Sequence, residues 1–82
     1  MGLKKLAEKV GEYKERVDSG KASKIKPGDV EKVLGKLRRK SAELESEIAS
    51  AKAPEKKGRL ERKLGIARTH IERAEWLLQE VS

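Results

Sequence analysis

At 82 residues, 43% of them charged and 35% hydrophobic, the chain holds one small domain at most. Ala, Glu, Lys, Leu and Arg supply 50 of the 82 residues, the composition of long helices, and with Tyr13 and Trp76 as the only aromatics there is no material for a sheet. The absence of cysteine excludes disulfides, thiol nucleophiles and thiolate metal sites, and no apolar run approaches the roughly 18 residues of a membrane span.

The N-terminal segment, residues 1–17, reads as an amphipathic helix. Leu3, Leu6, Val10, Tyr13 and Val17 recur at the alternating three- and four-residue spacing of one helical stripe. Met1–Leu6 lacks the apolar core of a signal peptide, and a cytoplasmic protein is expected. Asp18-Ser19-Gly20 ends this helix, with Gly20 suited to the left-handed position past a helix end. Residues 18–28 form a linker whose one large apolar residue, Ile25, is expected to tuck against the rest.

A second helix is expected from Asp29, a good N-cap, to about Ala51, with a seam of Val30, Leu34, Leu37, Ser41, Leu44, Ile48 and Ala51. Pro54 cannot continue it but fits the first turn of the next helix. The third helix runs to about Val81 along Leu60, Leu64, Ala67, Ile71, Ala74, Leu78 and Val81. So short a connection makes residues 29–82 an antiparallel, coiled-coil-like hairpin. Reflection through Pro54 sets Leu37 opposite Ile71, Ser41 opposite Ala67 and Leu44 opposite Leu64. The expected fold is all-α, a long hairpin with a shorter N-terminal helix packed on it.

The same register places Val33 opposite Leu77, with Trp76 beside them, as an apolar patch at the open end. Either the first helix covers this patch or another chain does, and Val33, Trp76 and Leu77 are the candidate protein-interaction residues. On the other flank Glu31 faces Glu75, Arg38 faces Arg68 and Glu45 faces Glu61, all like-charged. That flank is either a tolerated surface or one awaiting a partner of opposite banding. The Ser41–Ala67 layer is small, so that the helices approach closely there or a third element fills the gap. Gly35, Gly58 and Gly65 fall inside expected helices, where close approach of another backbone or tolerated drift would explain them.

Catalytic chemistry finds no footing. His70 is the only histidine and lies beside Lys40 without an orienting carboxylate; Glu43, Glu45 and Glu47 alternate around their helix rather than converge. Gly20-Lys21-Ala22-Ser23 lacks the leading glycine, the hydroxyl after the lysine and the preceding strand of a phosphate loop. No enzyme, cofactor or metal is expected.

The net charge of +7 is spread evenly along the chain, which has no basic arm. Such mixing is the usual solvated helix surface, although a basic excess also permits nucleic-acid contact. The candidates for that contact are Arg38, Arg39, Lys40 and Arg68. A second basic cluster, Lys56, Lys57, Arg59, Arg62 and Lys63, lies in the register beside Glu43, Glu45 and Glu47, which partly neutralise it. No aromatic residue stands near either for base stacking. Ala51-Lys52-Ala53-Pro54-Glu55 is similar to the tip of the helical arm of valyl-tRNA synthetases, over five residues that assign no family. The leading expectation is a non-enzymatic helical interaction module, self-associating as a homodimer or binding a partner helix. The alternative is a small basic RNA- or DNA-binding protein that contacts backbone phosphates. A third reading lays the first helix on a membrane surface, although Glu8, Glu12 and Glu15 dilute its positive face.

Overall fold

In the computed structural model, which describes residues 2–81, helix α1 spans Leu3–Asp18, α2 spans Pro27–Ser50 and α3 spans Pro54–Val81. A single 3-10 turn, Ala22–Lys24, lies between α1 and α2. Met1 and Ser82, the outermost residues of the expected first and last segments, lie outside the described residues. The fold is all-α: α2 and α3 pack as a hairpin, and α1 contacts both. The pairs Arg38–Glu75 and Glu45–Arg68 advance along α2 as they retreat along α3, which fixes the antiparallel sense. The result is a rod of 46 × 19 × 18 Å.

The ends of the helices follow local chemistry. Gly20 has φ +78°, and Lys21 N–H donates to Arg16 C=O at 2.7 Å while Gly20 N–H donates to Val17 C=O at 3.1 Å. Those two bonds are a Schellman stop that satisfies the last carbonyls of α1. Helix α2 begins at Pro27, two residues before the expected start. Proline lacks the N–H that a first helical residue leaves unpaired, and its φ is already helical. Asp29 therefore makes no capping bond; it sits in the first turn, where a carboxylate complements the helix dipole. Ala51 turns extended at the end of α2, and residues 51–53 make the connection to Pro54.

Two apolar clusters fill the rod. The larger, at the open end, joins Leu6 and Val10 of α1 and Ile25 of the linker to Val30, Val33, Leu34 and Leu37 of α2 and Ala74 and Leu77 of α3. The smaller, toward the turn, holds Leu44, Leu60, Leu64 and Ala67. Leu3 packs against both and bridges them, while Tyr13 and Val17 pack only against the larger. Helix α1 thus runs toward the open end, antiparallel to α2. At that end, burial and then the charge of Asp29 raise the pKa of the Tyr13 phenol, an effect that the Arg16 guanidinium, 5.7 Å from the ring centre, opposes.

One expectation needs correction, and two of the alternatives left open fall away. Leu77 rather than Leu78 is the fully buried residue near the end of α3, because α1 lies on the Leu77 side of the hairpin. Of the two explanations for Gly35, Gly58 and Gly65, close approach falls, since a β-carbon at each would meet nothing within 4 Å, and tolerated drift is left. The apolar stripe of α1 is turned onto the hairpin, with Leu6 and Val10 buried, which removes the face that a peripheral membrane helix would need.

Candidate interaction surface

Of the three residues expected to form an interaction patch, two belong to the core. Val33 is 4% exposed and Leu77 is 0%, and both pack with Leu6 and Val10. Helix α1 covers the patch within the chain, so Val33 and Leu77 are not open to a partner. Trp76 remains 40% exposed at the edge of a cleft of about 310 Å³ between α1 and α3, lined also by Lys14, Asp18, Glu72, Arg73 and Leu77. Lys14 and Asp18 are paired there at 2.8 Å.

The like-charged flank does not face itself. Arg68 donates to Glu45 at 2.9 Å, and Arg38 lies 3.9 Å from Glu75. Each arginine pairs with a carboxylate seven residues beyond the arginine that the leucine spacing sets opposite it, and a banding that had called for an outside partner is met within the hairpin.

This pairing also divides the four candidate nucleic-acid residues. Arg38 and Arg68 are held by carboxylates on one flank, whereas Arg39 and Lys40 line a separate hollow with Lys36 and Glu43. The structure does not bring the four onto one face.

His70 is partly buried, and its Nδ1 is out of contact with water and without a hydrogen-bond partner among the described residues. Burial first, and then the positive charge of Arg73 one turn away, lower its pKa. Among the described residues no three His, Asp or Glu side chains converge to hold a metal ion, and no described helix is long and apolar enough to cross a membrane.

A second stripe on α3 emerges in place of the expected patch. Besides Trp76, the large exposed apolar residue among those described is Ile66, at 49%. The two fall ten residues apart, a spacing that with seven-residue periodicity gives the series Arg59, Arg62, Ile66, Thr69, Arg73 and Trp76. All six are exposed. None is acidic, and among the described residues no ion pair engages Arg59, Arg62 or Arg73. The Thr69 hydroxyl donates to Gly65 C=O at 3.0 Å and so is satisfied within the helix. Ile66 and Arg73 do not stand out in the sequence when charge is summed along segments. Winding α3 at a second heptad phase, one that does not bury the leucines, brings them out.

Comparison with protein-family models, with curated proteins and with solved structures finds no match to this chain.

Proposed function

We propose that the chain is a non-enzymatic helical interaction module that receives a protein partner along the outer stripe of α3. One observation carries this reading: the two large apolar residues left exposed among those described, Ile66 and Trp76, share a single stripe of a single helix. Isolated exposed apolar residues are ordinary, but alignment at heptad spacing is the pattern that a second helix reads. The alternative, phosphate contact through Arg38, Arg39, Lys40 and Arg68, has less support, because two of the four are ion-paired and the set is divided.

A photoreactive phenylalanine analogue in place of Thr69 tests the proposal in cell extract treated with nuclease. A polypeptide adduct that survives nuclease and disappears when Ile66→Glu is added is the expected result. An adduct to RNA alone, or one indifferent to Ile66→Glu, overturns the reading.

A further inference from the structure

Resting on that reading, we infer that the partner is an acidic amphipathic helix that lies along α3, with apolar side chains on Ile66 and Trp76 and carboxylates on Arg59, Arg62 and Arg73. The stripe extends over about 25 Å, the length of some five helical turns. Its apolar and basic positions alternate at the spacing by which one helix presents knobs and flanking charges to another.

The chain distinguishes two kinds of arginine. Arg38 and Arg68 have carboxylates supplied by the hairpin, at Glu75 and Glu45. Arg59, Arg62 and Arg73 have none among the described residues, and Lys56, Lys57 and Lys63 add positive charge on the same helix. Acidic side chains border both ends of the stripe: Glu55 shares a hollow with Arg59 and Arg62 without pairing to either, and Glu72 and Asp18 line the cleft at Trp76, where Asp18 is already bound to Lys14. A guanidinium is a rigid fork matched to a carboxylate, so three unmatched forks beside two apolar residues describe a helix that is acidic on its flanks and apolar along its seam.

A second copy of this chain fits poorly. Stripe against stripe would bring six arginines together. The exposed side of α1 offers Glu8, Glu12 and Glu15 but no apolar residue among them, leaving Ile66 and Trp76 uncovered. A nucleic-acid backbone would use the arginines and has no use for Ile66 between Arg62 and Arg73, and one tryptophan is a meagre stacking platform. Two apolar residues are also too few to bury a helix face in a membrane surface.

Trp76 is the sole tryptophan and therefore a built-in reporter. The probe is a synthetic helical peptide with leucine at heptad positions a and d and glutamate at e and g, beside a version with lysine at e and g and a scrambled one. The glutamate peptide is expected to shift Trp76 emission to the blue in a saturable, salt-sensitive way, and the other two to leave it unchanged. Arg59→Glu with Arg62→Glu, remote from the reporter and exposed, is expected to weaken that binding roughly tenfold or more while circular dichroism stays the same. Equal binding of the lysine peptide, or binding indifferent to the double variant, overturns the inference. A Trp76 shift produced only by raising the protein's own concentration overturns the acidic partner and leaves the interaction module standing. If neither the peptide nor self-concentration moves Trp76, or if a duplex RNA oligonucleotide does so instead, both readings fall.

Discussion

Arg68 donates to Glu45 at 2.9 Å, although the leucine spacing of the sequence sets Arg38 opposite it. Arg38 turns toward Glu75 in the same sense. Each arginine thus pairs with a carboxylate one heptad beyond the residue that the leucine spacing sets against it. Both pairs are more than half exposed, so each is worth about 0.2–1 kcal/mol. A double-mutant cycle with Glu45→Gln and Arg68→Gln, followed by urea unfolding, should give a coupling in that range that shrinks with added salt. Exchanging the two residues should preserve stability; a large loss would mean that the pair is not interchangeable across the hairpin.

Leu37 is 0% exposed in the larger cluster. Leu37→Ala removes three buried carbons and leaves a cavity, a change that costs about 2–5 kcal/mol. The whole chain should be stable by only about 4–12 kcal/mol at the usual value per residue. Thermal melting followed at 222 nm should therefore drop by many degrees or lose its cooperative step. A drop of only a few degrees would mean that the cluster collapses around the gap.

The helical glycines should respond in the opposite direction. A β-carbon at Gly35 or Gly65 meets open space, so that Gly35→Ala and Gly65→Ala should each stabilise by about 0.5–1 kcal/mol. Gly20→Ala should destabilise by about 1–2 kcal/mol, because φ +78° is strained for a residue with a β-carbon. Urea midpoints of the three variants check the signs together.

The lowered pKa of His70 sets a pH dependence with a definite sign. Unfolded, the imidazole takes up a proton near its ordinary pKa of about 6.5, while the folded chain resists protonation because the ring is buried and Arg73 is close. The unfolded state then binds more protons, so stability is fully present above about pH 6.5 and is lost as pH falls through the folded value. His70→Gln should flatten the upper part of the acid limb of a stability–pH curve. An unchanged limb would assign the loss to carboxylates.

Much of the fold is legible in the spacing of leucines, because a helix loses water along one stripe and the stripe repeats through every turn. The hairpin, its turn at Pro54 and the left-handed Gly20 all follow from such local rules. The choice between Leu77 and Leu78 does not, since both are apolar and α1 decides which one is covered. The start of α2 depends on two competing signals, and the fixed φ of Pro27 prevails over the capping side chain of Asp29. The candidate surface was the least legible part. Charge is even along the chain and uneven around α3, and segment sums cannot register the second kind of asymmetry. Nor do the opposing residues disclose that an arginine reaches a carboxylate seven positions beyond the residue set against it.

Helix α1 has 16 residues against 24 in α2 and 28 in α3, so the turn-side half of the hairpin extends beyond its support. There Ile48 and Ala51 remain partly open over Leu44, Leu60 and Leu64, whereas Val30, Leu37 and Leu77 are sealed on every side. Local opening should therefore unzip the rod from Pro54 inward at far less free energy than global unfolding. Amide hydrogens near Ile48 and Leu60 should exchange early under native conditions, and those near Leu34 and Ala74 only with the whole molecule. Arg59 and Arg62 belong to the fraying end and Trp76 to the persistent one. A ligand spanning both would tie the loose half to the firm one, and the slowing of exchange near Ile48, at amides that it need not touch, would record its arrival.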